Sequence, residues 1–159
     1  MSKDYLNSLL SRVGELIGMH NLTADDDGYC LLRIDDQLDL SIEFDEDTES
    51  AILSATCGVL PEPPSPALLA EIIMANYYWI GSGGGTLALN GRNRTLYLQF
   101  REPMAQLDAP RLKDLLEALV MNAETWGRKL SEAATAPASP APEQAADGID
   151  SLAFQTMRV

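Results

Sequence analysis

The stretch Pro61–Gly85, PEPPSPALLAEIIMANYYWIGSGGG, constrains this chain more than any other. Ser65 followed by Pro66 marks a helix start, because Ser caps free amides and Pro fits the first turn. Gly81 and the run Gly83-Gly84-Gly85 mark its stop, because glycine accepts the left-handed conformation at a helix C-terminus. Between Ser65 and Ile80 only Glu71 is charged. A helix apolar almost all round has to be covered on more than one side. At roughly fifteen residues it is too short to cross a bilayer, which takes about twenty. One side is expected on the protein's own sheet. The other is expected on a second copy of the chain, the simplest cover for so small a protein. The expectation is a homodimer with this helix at its interface. The alternative is a core helix buried by the chain's own two other helices. Leu68, Ile72, Ala75 and Trp79 form one stripe and are the expected dimer interface. Leu69, Ile73 and Asn76 form the opposite stripe, the alternative outward face.

The flanking segments predict the rest of the architecture. Residues 3–18 carry Leu6, Leu9, Leu10, Val13, Leu16 and Ile17 at helical spacing, with Gly18 as the stop. Tyr5 and Met19 lie off that stripe. After the turn Asp25-Asp26-Asp27-Gly28, three strands follow at Tyr29–Ile34, Leu38–Phe44 and Ala51–Val59. Their expected inward faces are Cys30, Leu32 and Ile34; Leu38, Leu40, Ile42 and Phe44; and Leu53, Ala55, Cys57 and Val59. Short connections make these strands antiparallel neighbours. Thr86–Leu89 and Thr95–Arg101 form a hairpin around Asn90-Gly91. Asp108 caps a last helix with Pro110 in its first turn and Leu112, Leu115, Leu116, Leu119, Ala123, Trp126 and Leu130 as its stripe. The predicted fold is α+β, an antiparallel sheet with the order α-β-β-β-α-β-β-α. Residues 1–134 are read as one domain. Residues 135–159 are read as a disordered Ala/Pro-rich tail with an apolar end at Ile149, Leu152, Phe154, Met157 and Val159.

Charge narrows the partners. Twenty-four acids against 11 bases give a net charge of −13, which repels phosphate backbones and anionic lipid. Nucleic acid and membrane are therefore not expected partners, and the chain shows no signal-peptide or transmembrane pattern. Cys30 and Cys57 fall inside strands and are read as buried cytosolic thiols.

Patterns for catalysis are weak. Gly81–Thr86 resembles a phosphate cradle in composition, but such loops run from a strand into a helix N-terminus, and this one leaves a helix. The acidic run Asp45–Ser50 matches a calcium loop only in charge: Ser50 stands at the glycine position and Thr56 at the closing glutamate. His20 is the single histidine and has no metal or nucleophile partner by spacing. No cofactor or metal is expected, and the chain is read as a binding protein rather than an enzyme.

Several short motifs share one order with a known family. They are Leu16-Ile17-Gly18, Asp27-Gly28-Tyr29-Cys30 leading to Ile34-Asp35, Leu53-Ser54-Ala55, and Ala75-Asn76 with Trp79. Gly81–Leu87, Leu96-Tyr97-Leu98-Gln99 and Trp126 complete them. With these, residues 1–130 resemble the class I chaperones of type III secretion, the Tir-chaperone family. The resemblance implies a homodimer formed through the central helix and a role in the bacterial cytoplasm. It also implies binding of the N-terminal region of a secreted effector in extended form, keeping it soluble and competent for export. Strand addition and apolar pockets would supply the contacts. Tyr5, Met19, Tyr29 and Leu31, left over once the core is filled, are the expected effector-binding residues. The rivals are a small acidic phosphoanion-binding enzyme and a regulatory adaptor of the same fold.

Overall fold

A computed structural model describes residues 3–34 and 38–135. Helix α1 (Lys3–Ile17) precedes strands β1 (Tyr29–Ile34), β2 (Leu38–Asp45) and β3 (Ser50–Val59). Helix α2 (Pro66–Ala75) and a short 3-10 turn (Tyr77–Trp79) lead to β4 (Thr86–Asn90) and β5 (Thr95–Pro103). A second 3-10 turn (Met104–Gln106) leads to α3 (Ala109–Thr135). The element order is the expected one, and every sheet pairing is antiparallel. The remainder of the expected tail, with its apolar end, lies outside the described residues.

The sheet order is β1-β2-β3-β5-β4, so β1 and β4 are the two edges. Alternation sends Leu32, Leu40, Ile42, Leu53, Ala55, Leu96 and Leu98 into one core. The buried stripes of α1 (Leu6, Leu9, Leu10, Val13), α2 (Leu68, Ile72, Ala75) and α3 (Leu112, Leu115, Leu116, Leu119, Ala123, Trp126, Leu130) join the same cluster. The opposite sheet face carries Arg33, Ser41, Ser54, Thr56 and Gln99, as expected of a sheet covered on one side.

One strand departs from simple alternation. The β3–β5 register shifts between Thr56 and Gly58, a bulge that reverses which side chains face the core. Val59, expected inside, is therefore 59% exposed, and Leu60 is buried in its place. Gly58 has φ +140, and α3 crosses close by: a Cβ on Gly127 would stand 2.8 Å from the Cys57 carbonyl oxygen. Glycine at both positions lets helix and bulge touch.

The central helix also differs from expectation. It stops at Ala75, not Ile80. Asn76 turns its side chain onto β4: its Nδ2 donates to the Leu87 carbonyl at 3.2 Å, and its Oδ1 accepts from the Leu87 amide at 2.8 Å. Tyr78 and Trp79 then take left-handed φ values of 50 and 55. The Gly81 amide donates back to Ala75 O at 3.1 Å, closing the helix end. Trp126 fixes the same loop from below, donating Nε1–H to Gly81 O at 3.2 Å. Lys129 sits 4.4 Å over the Trp126 ring and pairs with Glu71 of α2.

Replacing Asn76 by Ala strands both backbone groups of Leu87 at a partly buried site. The expected cost is about 1–3 kcal/mol, read as a lower urea midpoint. An unchanged midpoint would show that solvent satisfies Leu87 equally well. Burial pushes the Cys57 thiol from 9.0 up to about 12. Between those values the unfolded chain has lost a proton that the folded chain keeps. The contribution is complete below about pH 9 and is lost as pH rises towards about 12. Cys57→Ala should flatten the alkaline fall of unfolding free energy with pH, whatever its offset; an unchanged slope would contradict the assignment.

Candidate functional site

Helices α1 and α3 and strands β1 and β2 leave an open apolar groove beside the β1 edge. Its volume is about 290 Å³. Leu32, Ile34 and Leu40 supply its floor from β1 and β2, and Ile17 and Met19 close one side. Leu116, Val120 and Met121 of α3 form the other, with Met121 64% exposed. The last turn of α1 reaches this groove through Ile17. Leu16 and Ile17, expected as part of the buried stripe, are exposed there. The rim is charged: Lys113 pairs with Glu117 at 2.5 Å across one helical turn, and Glu124 stands further along. The Glu117 bond lifts the Lys113 ammonium above its ordinary pKa.

The backbone beside this groove is an open sheet edge. The Tyr29 amide donates to Asp25 Oδ1 at 2.9 Å, and the Tyr29 carbonyl accepts from the Asp25 amide at 2.8 Å. Both groups point away from β2. Strand alternation sends the amides and carbonyls of Leu31 and Arg33 the same way. Among the described residues no strand pairs with that edge. On the other edge, the Asn76 side chain occupies both outward backbone groups of Leu87, near the start of β4.

A second apolar surface lies at the far end of the sheet order. Ile73 is 71% exposed and Ile80 82%, and Leu69, Met74, Tyr77, Tyr78 and Trp79 are exposed beside them. Tyr77 and Tyr78 meet edge to face with centroids 4.7 Å apart. This many neighbouring large apolar side chains is unusual on a monomer surface and marks a contact surface.

The residues singled out from the sequence divide between these places. Met19 lines the groove. Tyr29 and Leu31 sit on the same edge strand but on its outer face, with Leu31 58% exposed. Tyr5 is partly buried and donates its hydroxyl to Leu107 O at 2.9 Å, joining α1 to the segment before α3. Of the stripe expected at a dimer interface, three residues lie inside the protomer and one outside. Leu68, Ile72 and Ala75 are buried in the protomer's own core, because the helix turns its regular stripe to the sheet. Trp79 alone of the four is exposed, since the left-handed backbone at Tyr78 and Trp79 swings it off that stripe. The α3 contribution from Val120 and Met121 was missed. Both flank the stripe in sequence, and an exposed Met beside a core stripe is the signal that could have found them.

The glycine loop is a structural closure. The amides of Gly81, Gly84 and Gly85 donate to Ala75 O, Trp79 O and Ser82 O, and the Ser82 hydroxyl lies against the Trp79 and Gly85 carbonyls. Those three amides are turned inward and cannot cradle an anion. Cys30 and Cys57 are buried, and burial raises both thiols. His20 is exposed. Among the described residues no cluster of His, Cys, Asp and Glu could hold a metal ion, and no helix is long and apolar enough to cross a membrane.

Comparison with known proteins agrees with this fold. The Tir chaperone of Escherichia coli is 27% identical over 116 residues, 73% of each chain. A chain of the HopA1–SchA chaperone–effector complex superposes with a TM-score of 0.64 at 25% identity, covering 84% of this chain and 98% of that one. A chain of the ExsC–ExsE complex gives a TM-score of 0.71 at 22% identity, covering 80% and 95%. The model of the Tir chaperone protein (CesT) family matches residues 8–127, from the middle of α1 through Gly127 of α3, and the chain belongs to that family.

Proposed function

We propose that this protein is a type III secretion chaperone of the bacterial cytoplasm that holds the N-terminal region of a secreted effector in extended form. The carrying observation is the open β1 edge beside an apolar groove. Backbone groups of Leu31 and Arg33 can add a strand whatever its sequence, and the groove can take its apolar side chains. The outer side chains of Tyr29 and Leu31 flank the same strand. Family membership and the likeness to a chain of a chaperone–effector complex support the reading. Binding of this kind needs no nucleotide, metal or covalent step, so the protein acts by contact rather than by catalysis.

The chain works as a homodimer in this reading, joined through Leu69, Ile73, Met74, Tyr77, Trp79 and Ile80. The support is the exposure of this contiguous surface on α2 and the turn after it. Two copies would hide it by symmetric contact.

The function is tested by affinity purification from the native cell, followed by mass spectrometry and limited proteolysis of what is recovered. A secreted protein bound through a protease-resistant N-terminal segment is the expected result. Recovery of a regulator that is not secreted would favour an adaptor. Leu31→Pro removes an amide that faces away from β2, so the ladder stays intact. It should fold normally yet lose the client by tenfold or more (about 1.4 kcal/mol) in a titration. Undiminished binding would rule out strand addition at this edge. For the dimer, Ile73→Asp should give a folded monomer by native mass spectrometry. Ile72→Asp, inside the core, should instead lower thermal stability. A dimeric Ile73→Asp chain would place the interface elsewhere.

A further inference from the structure

We propose that Glu124 selects among clients, by pairing with a Lys or Arg that stands two residues beyond an apolar side chain in the added strand. This role rests on the reading that a client adds its strand to β1, and it names the chemistry of the segment that adds. Glu124 is exposed on the rim of the groove, one helical turn past Val120. The rise over that turn is about 6 Å. Alternate side chains of an extended strand stand about 6.6 Å apart. One client segment can therefore place an apolar side chain against Val120 and a cation against Glu124.

Charge decides what can sit there. Lys113, on the same rim, is already matched by Glu117 at 2.5 Å. Among the described residues no cation pairs with Glu124, and Arg128, one turn further along α3, forms no ion pair with it. The rim is left with one uncompensated negative charge, on a chain of net charge −13. A second copy of the chain, nucleic acid and anionic lipid all bring like charge and are repelled. A basic segment is attracted. The α2 surface makes no such distinction: between Ser65 and Ile80 only Glu71 is charged, and Lys129 pairs with it. An exposed pair is weak, worth roughly two- to fivefold in affinity. That is enough to sort segments that the β1 backbone would accept alike, since main-chain bonds carry no sequence preference.

The test selects binders from a displayed library of short random peptides, with the full chain as bait. The unaltered chain should enrich peptides of alternating apolar residues. Lys or Arg two residues beyond an apolar position should be favoured over Asp or Glu by roughly two- to fivefold. Glu124→Gln should erase that basic preference and keep the apolar one. Glu124→Lys should reverse it towards Asp and Glu. Both replacements are good helix formers at an exposed site, so the fold is kept. Leu31→Pro should lose the peptides altogether. Suppose apolar peptides are lost with Leu31→Pro, yet show no basic preference or one that survives Glu124→Gln. That result would overturn the role of Glu124 and leave strand addition standing. Peptides that bind Leu31→Pro equally well, or no enrichment of any sequence, would overturn both.

Discussion

The structure depends on α3 lying along one face of the sheet. It is 27 residues long, and its stripe from Leu112 to Leu130 is buried against the strands. No other helix among the described residues is as long. The other helices lean on it at its two ends. Near its start it flanks α1 and leaves the groove between them. Near its end, Trp126, Gly127 and Lys129 hold the bulge of β3, the loop after α2, and α2 itself. Burial of apolar area drives the arrangement. The polar contacts select which elements stand where.

That one-sided cover explains why two surfaces are left over. A sheet whose helices share a face has two exposed edges and one uncovered side. The β4 edge is stopped at Leu87 by a side chain, Asn76, that imitates a neighbouring strand. The β1 edge carries a comparable stop at Tyr29, made by Asp25, and among the described residues no strand pairs with it beyond that, at Leu31 and Arg33. Open edges invite pairing, and natural proteins keep them open where a partner belongs. The apolar groove beside β1 gives such a partner somewhere to place its side chains, and the carboxylates on its rim favour a cationic flank.

Much of this was legible in the sequence. Sequence patterns located every strand and α-helix among the described residues, because burial on one side imposes them directly. Two failures were local. Val59 pointed the wrong way because a bulge at Gly58 adds a residue, and a one-residue slip turns every later side chain over. The central helix ended early because Asn76 is used by β4, a long-range contact that no local pattern carries. The same event divided the expected interface stripe: Leu68, Ile72 and Ala75 lie in the core, and the aromatic turn after Asn76 is exposed. The groove was harder still. It needs the end of α1, an edge strand and the middle of α3, and only Met19 of its lining had been picked out. Exposed Ile17 and Met121 look like core residues in sequence and become part of the groove only in three dimensions.

Hydrogen–deuterium exchange of the chain with and without its recovered client tests the central claim most directly. Strand addition predicts new protection at the amides of Leu31 and Arg33, together with slowed exchange along the Lys113–Glu124 turns of α3. The amides of β4 should not change. Protection confined to α2 and the aromatic turn, with Leu31 and Arg33 exchanging as before, would contradict it.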